Sequence, residues 1–146
     1  MRRLFLRVLV GAIVSLAALA GNGAALAAEP IKVVYHLTEG IEQASRAMSN
    51  IRNHLKADPT TKIVVVTNGE GIRFLLSGAQ ERNGKLFEPA VAKLVEQGVQ
   101  FRVCENTLTS HDVPRSSVLA EAKLVPSGVA EVARLQAREG YAYLRP

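Results

Sequence analysis

The chain has 146 residues, 48% of them hydrophobic, with 18 Lys and Arg against 13 Asp and Glu, a formal charge of +5. That length supports one domain with a sizeable core. The positive balance hints at an anionic partner only until the charges are located. Arg2, Arg3 and Arg7 precede an uncharged run from Val8 to Ala28 that ends in Ala25-Leu26-Ala27-Ala28. A positive start, an apolar middle and a small-residue A-x-A site form the layout of a secretory signal peptide over residues 1–27. The run is also about long enough to span a bilayer, which takes ~20 apolar residues, so an uncleaved anchor is the rival reading. Gly21-Asn22-Gly23 interrupts it and favours cleavage, after which no stable membrane insertion is expected. Arg2-Arg3-Leu4-Phe5-Leu6-Arg7 shares the core of a twin-arginine signal, though the usual preceding Ser or Thr is missing. By either export route, the remaining chain fits a bacterial periplasm. It carries 15 basic and 13 acidic residues, or +2, with no basic patch interleaved with aromatics. No nucleic-acid partner is expected.

From residue 28 onward the pattern is that of a single domain. Ile31–His36 is a β-branched run and predicts a first strand. Ile41, Ala44, Met48, Ile51 and Leu55 recur at 3–4 spacing and predict a helix over 41–57, stopped at Asp58-Pro59. Lys62–Thr67 is almost wholly β-branched, as in strands covered on both faces. Asn68-Gly69-Glu70-Gly71 reads as a turn before a short helix at 72–76. Phe87–Gln97 returns to helical spacing and Gly98 sits where a C-cap belongs. Val99–Cys104 alternates as a third strand, Ala122–Pro126 is a fourth, and Tyr141–Leu144 is a last. Ser127 caps the helix between the final two, with Val129, Val132, Leu135 and Gln136 along it. Strands alternating with helices imply a three-layer α/β/α domain on a mostly parallel five-stranded sheet.

In such sheets ligands bind beyond the carboxyl ends of the strands. The loops at His36, at Asn68-Gly69 and at Cys104-Glu105-Asn106-Thr107 all open on that edge. Cys104 is the sole cysteine, so no intramolecular disulfide accounts for it in an exported chain. Burial as a small hydrophobe is one reading. The other is a reactive thiol, since alternation turns Cys104 away from Val99, Phe101 and Val103. Asn106 or Thr107 could also cap a helix whose N-terminus favours a thiolate, although an inward Glu105 would oppose it. His36, Asn68, Gly69 and Asn106 are candidate ligand contacts. His54 reads as a solvated residue near a helix end, and His111 lies in the loop after Cys104. No zinc-ligand spacing is present, and Asn68-Gly69-Glu70-Gly71 lacks the third glycine of a dinucleotide loop, so neither metal nor cofactor is expected.

Val103-Cys104-Glu105-Asn106-Thr107-Leu108 and the stretch Val125–Gln136, followed by Glu139-Gly140-Tyr141-Ala142-Tyr143, resemble the DsrE/DsrF-like family of small α/β sulfur-relay proteins, in particular its exported branch. The resemblance implies a parallel or mostly parallel five-stranded sheet and a homo-oligomer, often built from trimers. It implies that Cys104 carries sulfur as a persulfide, making the chain a candidate sulfurtransferase. The partner would be a sulfur donor or acceptor protein, or a small sulfur compound. Export argues against the cytoplasmic, tRNA-linked role of some members. With one cysteine, a partner thiol must resolve any persulfide. The polar stretch Thr109–Pro114 would give Cys104 a mobile loop for presenting it. Two other functions remain open, a non-catalytic small-ligand-binding module and a thiol-redox partner.

Overall fold

The computed structural model describes residues 28–146; the expected signal segment, 1–27, lies outside the described residues. Five strands, β1 (Lys32–Leu37), β2 (Lys62–Thr67), β3 (Gln100–Cys104), β4 (Ala122–Val125) and β5 (Ala142–Leu144), alternate with helices α1 (Ile41–Ala57), α2 (Glu88–Glu96), α3 (Glu105–Ser110) and α4 (Gly128–Glu139). The sheet order is β4-β3-β2-β1-β5 and every pairing is parallel. The expected α/β architecture is therefore present.

The order explains how the layers fill. The chain steps β1, β2, β3, β4 in one direction, so its right-handed crossovers all lie on one face. Only the return from β4 to β5 crosses the other face, and α4 makes it. The larger core lies under α1, α2 and α3, where Val33, Tyr35 and Leu37 of β1 meet Ala44, Met48, Ile51, Phe74, Phe87 and Phe101. Across the sheet, Val34, Val64 and Val66 meet Val132 and Leu135 of α4. The run of valines in β2 is buried on both sides, as its composition predicts.

Several boundaries and faces differ from the sequence reading. Residues 68–76 are a 3₁₀ helix, Gly69–Leu75, rather than a turn followed by a short helix. The segment lies so close to β1 that a Cβ on Gly71 would sit 2.1 Å from the Leu37 carbonyl oxygen, so only glycine fits. Of the residues that mark the last helix by their spacing, Val129 is 61% exposed, because α4 packs through Val132 and Leu135. His54 is not simply solvated: its Nδ1 lies 3.1 Å from the Tyr35 hydroxyl.

The face under α4 also holds an ionic network. Arg102 of β3 pairs with Glu131 of α4, and Arg134 reaches both Glu131 and Glu139. Arg102 and Glu131 are 15% and 11% exposed, which sets them apart from the surface pairs. Arg134 first, then Arg102, holds the Glu131 carboxyl below its ordinary value against the opposing effect of burial. Among the described residues, no helix is long and apolar enough to cross a membrane.

Candidate functional site

Because β1, β2 and β3 are parallel and in register, their carboxyl ends share one edge. Leu37 stands opposite Thr67, and Thr67 opposite Val103. Pleat alternation sends Phe101 and Val103 into the larger core and leaves Cys104 on the α4 side, where His36 follows Val34. The α4 helix begins at this edge. A Cβ on its first residue, Gly128, would lie 3.1 Å from the Asn68 Cβ, 3.3 Å from the Cys104 Cβ and 3.3 Å from the Thr67 carbonyl oxygen. The start of α4 is thus threaded between Asn68 and Cys104, and a bare glycine permits it.

Cys104 ends β3 and immediately precedes α3, so it occupies the cap position itself instead of being followed by a capping Asn106 or Thr107. It is 5% exposed. Burial pushes its thiol up. The Thr107 side chain and the backbone N–H groups of Gly128, Thr107 and Asn106 outweigh that and leave it below its ordinary value. The Cys104 side chain makes no cap bond of its own to α3, and hydrogen bonding to the charged form of the sulfur is what favours it. Thr107 is well placed for this: its Oγ1 accepts the Gly69 N–H at 3.1 Å, which leaves the hydroxyl proton for the sulfur. Glu105 does not oppose it, because its carboxylate turns to Arg115 at 3.0 Å. The thiol sits at a strand–helix junction, not on a loop; α3 continues to Ser110, and the Val113 N–H then donates to the Leu108 carbonyl at 2.9 Å.

The candidate ligand contacts divide. His36 Nε2 is 2.6 Å from Asn68 Oδ1, and His36 Nδ1 is 3.1 Å from the Tyr143 hydroxyl. An amide oxygen only accepts, so Nε2 donates to Asn68, while Nδ1 shares a hydrogen bond with the tyrosine hydroxyl. This chain runs from β5 through β1 to Asn68, beside the thiol. Gly69 contributes a backbone N–H. Asn106 is exposed; its backbone N–H donates to the Pro126 carbonyl at 3.3 Å and adds the smallest of the contributions at the sulfur. His54 and His111 do not join this chain: His54 meets Tyr35, and His111 lies 3.7 Å from Glu70. Among the described residues, no three His, Cys, Asp or Glu side chains gather as metal ligands.

Gly128 and Tyr143 are the members that sequence reasoning did not single out. Thr107 is expected there only as a possible helix cap; instead its hydroxyl bridges the Gly69 N–H and the sulfur. Gly128 and Tyr143 come from distant parts of the chain and carry no local signal.

The sequence profile of the DsrE/DsrF-like family matches residues 24–146. The solved structure of MTH1491 from Methanobacterium thermoautotrophicum, described as a protein of unknown function, is 32% identical. That match covers 80% of this chain and 99% of the other at a TM-score of 0.71. The ychN protein of E. coli shares the fold at 12% identity, covering 81% and 99% of the two chains with a TM-score of 0.64. No curated protein matches the chain.

Proposed function

The chain belongs to the DsrE/DsrF-like family, and from that premise we propose that it is an exported sulfur carrier that accepts sulfane sulfur on Cys104. The observation that supports this reading best is the placement of Cys104 at the start of α3 with Gly128, the first residue of α4, packed against it, surroundings that favour the anion although the thiol is buried. The thiolate is the nucleophile of sulfur exchange. In the loading step, the Cys104 thiolate attacks the outer sulfur of a donor R–S–SH. A new S–S bond forms to Cys104, the donor's S–S bond breaks, and R–S⁻ leaves with the bonding pair. The product is Cys104–S–SH, and there is no net oxidation. Unloading is the same exchange with an acceptor thiolate, which must come from a partner because the chain has no second cysteine. We place the protein in the periplasm on the strength of its N-terminal segment. The family likeness supports a trimer-based homo-oligomer as part of the proposal, with a sulfur donor or acceptor protein or a small sulfur compound as its partner.

Intact-mass spectrometry after incubation with thiosulfate or polysulfide tests the reading. An addition of about 32 Da per sulfur on Cys104, absent from Cys104→Ser, is expected. An unmodified protein with every donor would end it. The near-complete burial of the thiol, at 5% exposure, favours a second reading in which the edge binds a small ligand without reacting. On that reading, thermal stabilisation by the ligand persists in Cys104→Ser and disappears in Asn68→Ala.

A further inference from the structure

Most arginines of this chain are neutralised. Among the described residues, each one except Arg52 and Arg138 meets a carboxylate. Arg52 projects from α1 into a cleft of about 630 Å³ between α1 and α2, joined there by Lys56, Lys85 and Lys93. All four are exposed, and no carboxylate or aromatic side chain lines the cleft. Leu55 and Leu94 contribute to its floor. Lys56 and Lys93 lie in the last turns of their helices, where a cation complements the dipole. That local account leaves out Arg52 and Lys85, and it does not explain why four unpaired cations surround one apolar floor.

We propose that this cleft docks an acidic amphipathic helix of a partner protein. A helix laid along the groove between α1 and α2 would seat apolar residues at i, i+3 and i+4 on Leu55, Pro89 and Ala90. Its flanking Glu and Asp would then meet the four cations. A phosphodiester chain would satisfy the charges but leave the floor uncovered, and it would find no aromatic surface for its bases. A small inorganic anion has the same shortcoming. The cleft lies on the face away from α4 and Cys104, so the inference goes beyond the sulfur reading and does not depend on it.

Fluorescence anisotropy with the purified protein tests it. The probe is a labelled helix of roughly 18 residues, long enough to hold its fold, with Leu along one face and Glu on both flanks. Saturable binding that weakens with added salt is expected. The double reversal Arg52→Glu/Lys93→Glu should weaken it by about tenfold or more, while Arg138→Glu leaves it unchanged. Should the double variant fail to fold, Lys85→Glu alone should weaken binding by about threefold. Absence of saturable binding, equal affinity in the reversed variant, or an equal loss in Arg138→Glu would overturn the proposal. So would displacement of the peptide by single-stranded DNA or inorganic polyphosphate at comparable charge.

Discussion

The two faces of the sheet are built differently. Under α1, α2 and α3 the packing is apolar and rich in aromatic rings: Phe74 meets Phe87 and Phe101 edge-on, with ring centroids 5.5 and 6.2 Å apart. Under α4 a few valines and Leu135 share the space with the Arg102–Glu131–Arg134 network and, at the edge, with His36 and Cys104. The difference follows from topology, since three crossovers cover one face and a single helix covers the other. Polar groups persist where one helix leaves room and where its N-terminus supplies donors. The larger core secures the strands whose ends form the chemistry on the thinner side.

Truncations should break this comparison most visibly. Phe101→Ala, in the larger core, is expected to lower the unfolding free energy by about 3–5 kcal/mol, and Leu135→Ala, beneath α4, by about 2 kcal/mol. Urea midpoints with slopes compared between variants check both; equal losses would mean that the two faces carry equal weight. Next in size is the ionic network. Glu131→Gln leaves Arg102 without its carboxylate partner and should cost about 1–3 kcal/mol. The native Glu131 carboxyl is held below its ordinary 4.5, so its contribution is present above that value and is lost as pH falls through the lowered native one. Acid titration of the urea midpoint should therefore show a shallower acid limb in Glu131→Gln.

Smaller effects on stability sharpen the contrast at the edge. Gly128→Ala pushes a methyl toward Asn68 and Cys104 at 3.1–3.3 Å. It should slow sulfur loading by about tenfold or more while changing the unfolding midpoint little, since misplacement at a reacting centre costs rate steeply. Time-resolved intact mass separates the two effects. Thr107→Val removes the hydroxyl that favours the anionic sulfur, and should raise the thiol titration midpoint, read from thiolate ultraviolet absorbance.

Much of the fold was legible because the signals are local. The β-branched run Lys62–Thr67 and the 3–4 spacing of Ala44, Met48 and Ile51 each state their own structure, and helix 41–57 and strand 62–67 fall where they were read. The stretch after β2 misled because Asn68-Gly69-Glu70-Gly71 has turn composition, whereas Gly71 is there for a close approach to Leu37. Val129 misled because helical spacing does not reveal how α4 is rotated on the sheet. At the candidate site, strand order and the edge rule brought His36, Asn68 and Cys104 together. The contributions of Gly128 and Tyr143 depend on where α4 starts and on β5 returning beside β1, which only the tertiary arrangement reveals.

The central claim is that this edge favours the anionic form of the Cys104 sulfur in spite of burial. Ultraviolet titration of the single cysteine in the native protein, against the same protein in denaturant, tests it most directly. A native midpoint below the denatured one, lost in Cys104→Ser, is the result this account predicts. A native midpoint at or above the denatured value would contradict it, and would mean that burial dominates and Cys104 is a packing residue.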